Sequence, residues 1–148
     1  MSVQDLLKKK RITAVFTVEP TADTARAARL LLEHGIGGLP VVDPEGKLEG
    51  FVSEREVVDA LDRHQANAGK QPVSSIMRTP APSCGASERL SDVMQRMTRE
   101  RLRHLVVLDG GRVAGVISVG DLVKHRLEEL EVEAGVLRDY VAAQRARG

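Results

Sequence analysis

The sequence has few aromatic residues and no excess of charge of either sign. Two phenylalanines and one tyrosine are its only aromatic residues, so the chain lacks the rings on which proteins stack single-stranded bases. Lysine and arginine number 22, against 21 aspartates and glutamates. Because this balance provides no general attraction to a polyanion, the composition disfavours nucleic acid as a partner.

The chain also lacks cysteine pairs and long apolar runs. Cys84 is the single cysteine, which excludes an intrachain disulfide and favours a reducing compartment. Apolar runs such as Leu105 to Leu108 are far shorter than the roughly 20 residues of a membrane span. Residues 1–11 form a short amphipathic, basic stretch without the features of a signal peptide. We therefore expect a soluble, cytoplasmic protein without a membrane partner.

Catalytic and metal-binding patterns are absent as well. The four histidines are not spaced like zinc ligands, and Cys84 has no partner thiol. No combination of serine, histidine and an acid indicates a nucleophile. We therefore expect neither a metal site, nor a catalytic cofactor, nor an enzyme.

A duplication is the main positive feature of the sequence. Residues 36–43 align with residues 102–109, and residues 46–53 align with residues 111–118. Thr21 aligns with Ser87, and each is predicted to be a helix N-cap. Two copies of one unit explain this similarity.

Apolar spacing predicts strand, helix, strand, strand, helix in each unit. In the first unit we predict a helix over residues 21–34 that ends at Gly35, followed by strands at 39–42 and 47–53. Ser53 is placed to cap a second helix over residues 54–63. A unit of about 60 residues is marginally stable alone. We therefore predict a mixed α/β (α+β) fold in which two units pack sheet to sheet.

The duplicated segments resemble tandem CBS-domain pairs, also called Bateman modules. The segments that carry the resemblance are GLPVVD at 38–43, GFVSEREV at 50–57, SIMRTP at 75–80, RHLVV at 103–107 and GVISVGDL at 115–122. The resemblance extends from about Thr13 to Lys124 and is closest to stand-alone bacterial pairs with an extra C-terminal helix. It divides the chain into an N-terminal segment (1–12), repeat 1 (13–65), a linker (66–72), repeat 2 (73–125) and a C-terminal helical extension (126–148).

The resemblance implies a regulatory, non-catalytic module that binds adenine nucleotides in clefts between its repeats. Its ligands would be AMP, ADP, ATP, an NAD-type molecule or an S-adenosyl compound, and it would report energy or metabolite state to a partner protein through a conformational change. In this family a Gly-h-h-Ser/Thr-x-x-Asp motif, where h is hydrophobic, places its hydroxyl at the phosphate and its Asp at the ribose. Residues 115–121 fit this motif. The alternative is a structural dimerisation or adaptor module with vestigial clefts.

The residues support such a site by their own chemistry. Ser118 ends a predicted strand and Asp121 opens a helix, whose free N–H groups attract an anion. Asp121 can accept two hydrogen bonds from a ribose diol, and Arg103 or His104 can reach a phosphate. With the resemblance, the favoured ligand site is predicted to consist of Thr79, Pro80, Ala81, Arg103, His104, Leu105, Val106, Val116, Ser118 and Asp121.

Repeat 1 departs from this pattern, because Glu56 stands where the motif has Asp and Gly38 and Leu39 replace the basic pair. A weaker second site is therefore predicted at Gly38, Leu39, Pro40, Phe51, Ser53 and Glu56. The simpler interpretation also stays open, in which Ser118 and Asp121 only cap a helix and Arg103 and His104 have no ligand.

The C-terminal extension carries apolar residues at heptad spacing. They are Val123, Leu127, Leu130, Ala134, Leu137 and Val141, which predicts one long helix from about Asp121 with an a/d seam. Pairing with a second subunit would bury this seam, so we predict a homodimer. The alternative is that the helix folds back onto its own chain.

Overall fold

The computed structural model describes residues 1–10 and 14–147. Thr13 and Gly148, which begin repeat 1 and end the predicted extension, lie outside the described residues. The helices are α1 (Val3–Lys9), α2 (Thr24–His34), α3 (Glu54–His64), α4 (Val73–Ile76), α5 (Leu90–Glu100) and α6 (Val119–Arg147), with a 3-10 helix at Gln65–Lys70. The strands are β1 (Gly38–Val42), β2 (Leu48–Ser53), β3 (Ser83–Gly85), β4 (His104–Asp109) and β5 (Arg112–Ser118).

Each half contains the predicted hairpin followed by a helix. In the first half β1 pairs antiparallel with β2, and in the second β4 pairs antiparallel with β5. A register shift occurs at the same place in both hairpins, between Val41 and Val42 and between Val107 and Leu108. The mixed α/β fold with two small sheets and a long C-terminal helix is therefore confirmed.

The strand predicted before the first helix of each unit forms fully only in the second half. There β3 pairs parallel with β4. Among the described residues that lead into α2, Val18 alone bridges to Val41, and its N–H donates to the Pro40 carbonyl at 3.0 Å. Pro20, two residues further on, has no N–H with which to continue a ladder.

The first helix of each half, α2 or α5, begins three residues after its predicted cap. Asp23, not Thr21, caps α2 by accepting the Arg26 N–H at 2.8 Å. The corresponding helix α5 begins after Arg89 instead of Ser87. Hydrogen-bonded turns occupy the intervening residues, so the caps predicted at Thr21 and Ser87 are wrong. Two other local predictions are confirmed, because Gly35 ends α2 in the left-handed region and Ser53 caps α3.

The two hydrophobic cores do not follow the order of the chain. Helix α1, predicted to lie in a segment outside both repeats, contributes Val3 and Leu6 to the core of the second half. Val73, which begins repeat 2, is instead buried in the core of the first half. Each hydrophobic core therefore includes residues that the predicted division of the sequence places outside that half.

The predicted linker is ordered. Most of it forms the 3-10 helix, in which Ala68 is buried. A methyl group on Gly69 would lie 3.4 Å from the Ala25 side chain of α2. The link between the halves therefore packs against the first half rather than spanning freely between them.

Helix α6 begins at Val119 and continues through 29 residues. Its buried residues are Leu122 and His125 near its start. The predicted apolar seam is exposed, with 56% of Leu127 and 62% of Leu137 accessible to solvent. The alternative that the helix folds back onto its own chain is therefore wrong. None of the helices in the described residues has the length and apolar character needed to cross a bilayer.

Candidate functional site

Ser118 and Asp121 form a reciprocal cap at the start of α6. The Ser118 N–H donates to Asp121 Oδ2 at 2.9 Å, and the Asp121 N–H donates to Ser118 Oγ at 3.2 Å. Both residues remain partly exposed. Ser118 and Asp121 therefore do cap the helix, and Asp121 Oδ1 takes no part in these hydrogen bonds.

Lys10 is a functional candidate that sequence reasoning missed. Its Nζ lies 2.8 Å from Asp121 Oδ2 and donates to the Val116 carbonyl at 2.7 Å. It belongs to a run of basic residues that begins in the last turn of α1, and no local pattern distinguishes it from its neighbours. Only the docking of α1 on the second half brings it to Asp121.

These residues open onto a cleft of about 400 Å³, which we call the Asp121 cleft. It is lined by Leu6, Lys9, Lys10, Ala14–Phe16, Gly35–Gly38, His104, Val116, Ser118, Asp121, Lys124, His125 and Glu128. The cleft thus combines the start of α6 with residues that precede α2 and β1 in the first half. Three lysines provide positive charge beside the Asp121 carboxylate.

A second cleft of about 730 Å³, the Glu56 cleft, occupies the related position in the first half. It is lined by Gly37, Phe51, Ser53–Glu56, Asp59, Arg78, Pro82, Arg101, Arg103 and His104. The Glu56 carboxylate accepts the Ser53 N–H at 3.1 Å and the Ser53 hydroxyl. Glu56 therefore caps α3 in the way that Asp121 caps α6.

The residues of the favoured site do not all line one cleft. Among the described residues, Thr79, Pro80 and Ala81 line neither cleft, whereas their neighbours Arg78 and Pro82 line the Glu56 cleft. The reason is that Arg78 forms two backbone hydrogen bonds with Phe51 of β2, at 2.8 and 3.0 Å. The related segment, Ala14–Phe16, lines the Asp121 cleft. The segment leading into each repeat therefore lines the cleft of the other repeat.

Arg103 is also placed differently from the prediction. It lines the Glu56 cleft, so of the two basic residues only His104 reaches the Asp121 cleft. Val116 and Ser118 lie in that cleft as predicted.

Buried strand residues account for the remaining differences. Leu105 and Val106 are at most 1% exposed and line none of these clefts. Leu39 and Pro40, predicted for the weaker site, are buried in the same way in the first half. Successive side chains of a strand point to opposite faces, so the burial of both members of each adjacent pair shows that β1 and β4 are covered on both faces at these positions.

Gly38 lies in a different cleft from the one predicted, because it lines the Asp121 cleft. The ring of Phe51 packs against Gly38 so closely that a methyl group there would clash with it. Phe51, Ser53 and Glu56 do line the Glu56 cleft together.

His104 lies where the two clefts meet. A methyl group on Gly37, which also borders both clefts, would lie 2.8 Å from His104 Nε2. Burial lowers the pKa of His104, and the nearby carboxylates of Glu54 and Asp121 oppose this shift only in part. A neutral imidazole follows near pH 7, which supplies a single hydrogen-bond donor rather than a positive charge.

The family of the chain follows from comparison with known proteins. The CBS domain matches residues 3–63 and 73–128. The chain belongs to the CBS-domain family. The CBS domain-containing protein YhcV of Bacillus subtilis is 31% identical over 121 residues, which cover 82% of this chain and 85% of YhcV.

Solved structures of CBS pairs have the same fold. The CBS-domain protein ATU1752 from Agrobacterium tumefaciens superposes with a TM-score of 0.77 at 37% identity, covering 84% of this chain and 98% of that protein. The CBS pair of MJ0100, solved with 5'-methylthioadenosine and S-adenosyl-L-methionine, also gives a TM-score of 0.77, at 24% identity over 87% of this chain and 98% of MJ0100. The module is thus a CBS pair, and no catalytic domain is evident beside it in the described residues.

Proposed function

We propose that this CBS pair is a regulatory module that binds an adenine nucleotide in the Asp121 cleft and signals to a partner protein by changing shape. The ligand would be AMP, ADP, ATP or an NAD-type molecule. In this proposal residues 13–65 and 73–125 are the two repeats, joined by residues 66–72, and residues 126–148 form an extension used in a homodimer.

The observation that carries the proposal is the position of Asp121. Its carboxylate opens onto a cleft of about 400 Å³, a volume within the range of small-molecule sites. A carboxylate at this place can accept hydrogen bonds from both hydroxyl groups of a ribose. Lys9 and Lys124 line the same cleft, and the N-terminus of α6 adds a partial positive charge for a phosphate.

The base would lie between aliphatic side chains. Val15, Ile36 and Val116 line the Asp121 cleft and supply such surfaces. Phe16 also lines it, but its ring already stacks on His34 with centroids 3.7 Å apart. Binding of two adenosine derivatives by MJ0100, which has the same fold, supports the adenosine group as the common element of the ligand.

A ligand screen tests the proposal. AMP, ADP, ATP, NADH and S-adenosylmethionine are compared by thermal shift, because a ligand at 100 times its Kd stabilises a protein by about 2.7 kcal/mol. Calorimetry then compares Asp121→Ala with Glu56→Ala, the matched change in the other cleft. We expect the Asp121 change to weaken binding at least about tenfold, or 1.4 kcal/mol, and the Glu56 change to weaken it less. Equal binding by Asp121→Ala and the parent would refute the ribose role.

A structural adaptor is the second candidate, and one observation favours it. Asp121 is already engaged by Ser118 and Lys10, so it has structural contacts without any ligand. If none of the five ligands raises the unfolding temperature while the protein remains dimeric, the adaptor function replaces the nucleotide-binding one.

A further inference from the structure

Helix α6 presents an apolar stripe that its own chain leaves uncovered. The stripe consists of Val119, Val123, Leu127, Leu130, Ala134, Leu137 and Val141. Its valines and leucines are between 40% and 62% exposed. The CBS match ends at residue 128, so most of this exposed length lies beyond the part shared with the family.

The outer part of this helix lacks the packing that usually stabilises a helix in a protein. After His125 the helix contributes no buried residue to the fold, whereas most of the stability of a protein helix comes from tertiary packing of its apolar face. Steps of four and three residues keep the stripe on one side of the helix, which is the pattern that packs against another helix in a left-handed coiled coil.

The charges beside the stripe identify the partner and its direction. Leu127, Ala134 and Val141 take heptad position a, and Val123, Leu130 and Leu137 take position d. Arg126 and Glu133 then occupy g positions, and Glu131 and Arg138 occupy the e positions five residues later. In a parallel pair each g residue meets the following e residue of the partner. Arg126 therefore meets Glu131 of the partner subunit, and Glu133 meets Arg138 of the partner subunit.

We propose that the α6 stripe binds the same stripe of a second copy of this chain as a parallel, in-register, two-stranded coiled coil. Both of these pairings join opposite charges, and the two-fold symmetry makes each pairing twice. The proposal rests on the homodimer named in the proposed function, but it is independent of whether a nucleotide binds in the Asp121 cleft.

The surface beside the start of α6 continues the apolar stripe. A groove of about 740 Å³ between α5 and α6 is lined by Met94, Met97 and Leu102 together with Val119, Val123 and Leu127 of the stripe. A parallel arrangement places the two bodies at the same end of the coil, where these grooves lie side by side. An antiparallel arrangement would separate the bodies and leave the grooves uncovered.

Cross-linking through a new cysteine tests the direction of the helices. In the parallel coil residue 137 faces its own counterpart, within the Cα separation of about 4.4–6.8 Å that a disulfide needs. We expect full-length Leu137→Cys to form a covalent dimer on oxidation. Val132→Cys, on the opposite side of α6, is the control and should stay uncross-linked under the same conditions. Native Cys84 is only 4% exposed and should not compete.

Charge reversal tests the pairing. Glu133→Arg places a positive charge against Arg138 of the partner subunit and should weaken dimerisation about tenfold at low salt, as measured by sedimentation equilibrium. The double change Glu133→Arg with Arg138→Glu should restore it. The proposal is overturned if the parent is a monomer, if Leu137→Cys does not cross-link, or if the double variant dimerises no better than Glu133→Arg.

Discussion

Replacement of Lys10 by methionine tests how the Asp121 cleft is controlled. In the structure Lys10 Nζ is 2.8 Å from Asp121 Oδ2 and 2.7 Å from the Val116 carbonyl. A ribose bound to Asp121 needs the same carboxylate, so a nucleotide has to displace the ammonium group or share the acceptor with it. Lys10→Met keeps an unbranched side chain of similar length while removing the charge and the donor.

The size of the effect follows from the exposure of the pair. Lys10 and Asp121 have side chains that are 27% and 23% exposed, and ion pairs open to solvent contribute up to about 1 kcal/mol. The hydrogen bond to Val116 adds about 1 kcal/mol at most. If a ligand has to break part of this interaction, Lys10→Met should bind adenosine about three- to tenfold more tightly.

Calorimetry with adenosine and with AMP separates two roles of this lysine. Adenosine has no phosphate, so its affinity reports only the competition for Asp121. If the displaced ammonium group moves onto a phosphate, Lys10→Met should gain affinity for adenosine but not for AMP. For adenosine, Lys9→Met is the control, because Lys9 lines the same cleft but makes neither of these contacts. Unchanged or weaker binding of adenosine by Lys10→Met would refute the competition.

Three further predictions concern stability and reactivity. Burial raises the pKa of the Cys84 thiol to about 11, so at pH 8 a thiol reagent should modify it only after denaturant unfolds the chain. Gly38→Ala should lower the free energy of unfolding in urea by about 1–3 kcal/mol, since the methyl group meets Phe51, whereas Gly120→Ala has room and should not destabilise. Burial lowers the pKa of His104 in the folded state. The contribution of His104 to stability is therefore present above its unfolded pKa and is lost as pH falls through the folded pKa. His104→Gln should therefore reduce the loss of stability between pH 7.5 and pH 5.

The sequence predicted features that are governed by neighbouring residues. Gly35 and Ser53 end and begin their helices as expected, because capping depends on a few adjacent residues. The hairpins and the Ser118 to Asp121 motif also follow from local chemistry. Thr21 and Ser87 failed as caps although their side chains suit the role, because turns precede both helices.

Contacts between distant segments could not be predicted in the same way. Lys10 and Val116 are separated by 106 positions, and nothing in a run of basic residues shows which member reaches a carboxylate. The sequence also could not show that the segment leading into each repeat lines the cleft of the other repeat. Because the two repeats are copies, the segment around Thr79 has a compatible apolar pattern whether it packs on its own repeat or on the other.

Because each cleft is lined by residues of both repeats, the proposed ligand can change how the two halves are arranged. The Asp121 cleft joins the N-terminal segment, the start of β1 in the first half, and β4, β5 and α6 in the second. A ligand shifts a conformational equilibrium only by binding one state more tightly than another. Because a nucleotide there would touch both halves and the first turns of α6, its binding would favour one angle between α6 and the first half. If α6 pairs with a second copy, that angle would also fix how the two bodies face each other, which is a change that a partner protein can detect.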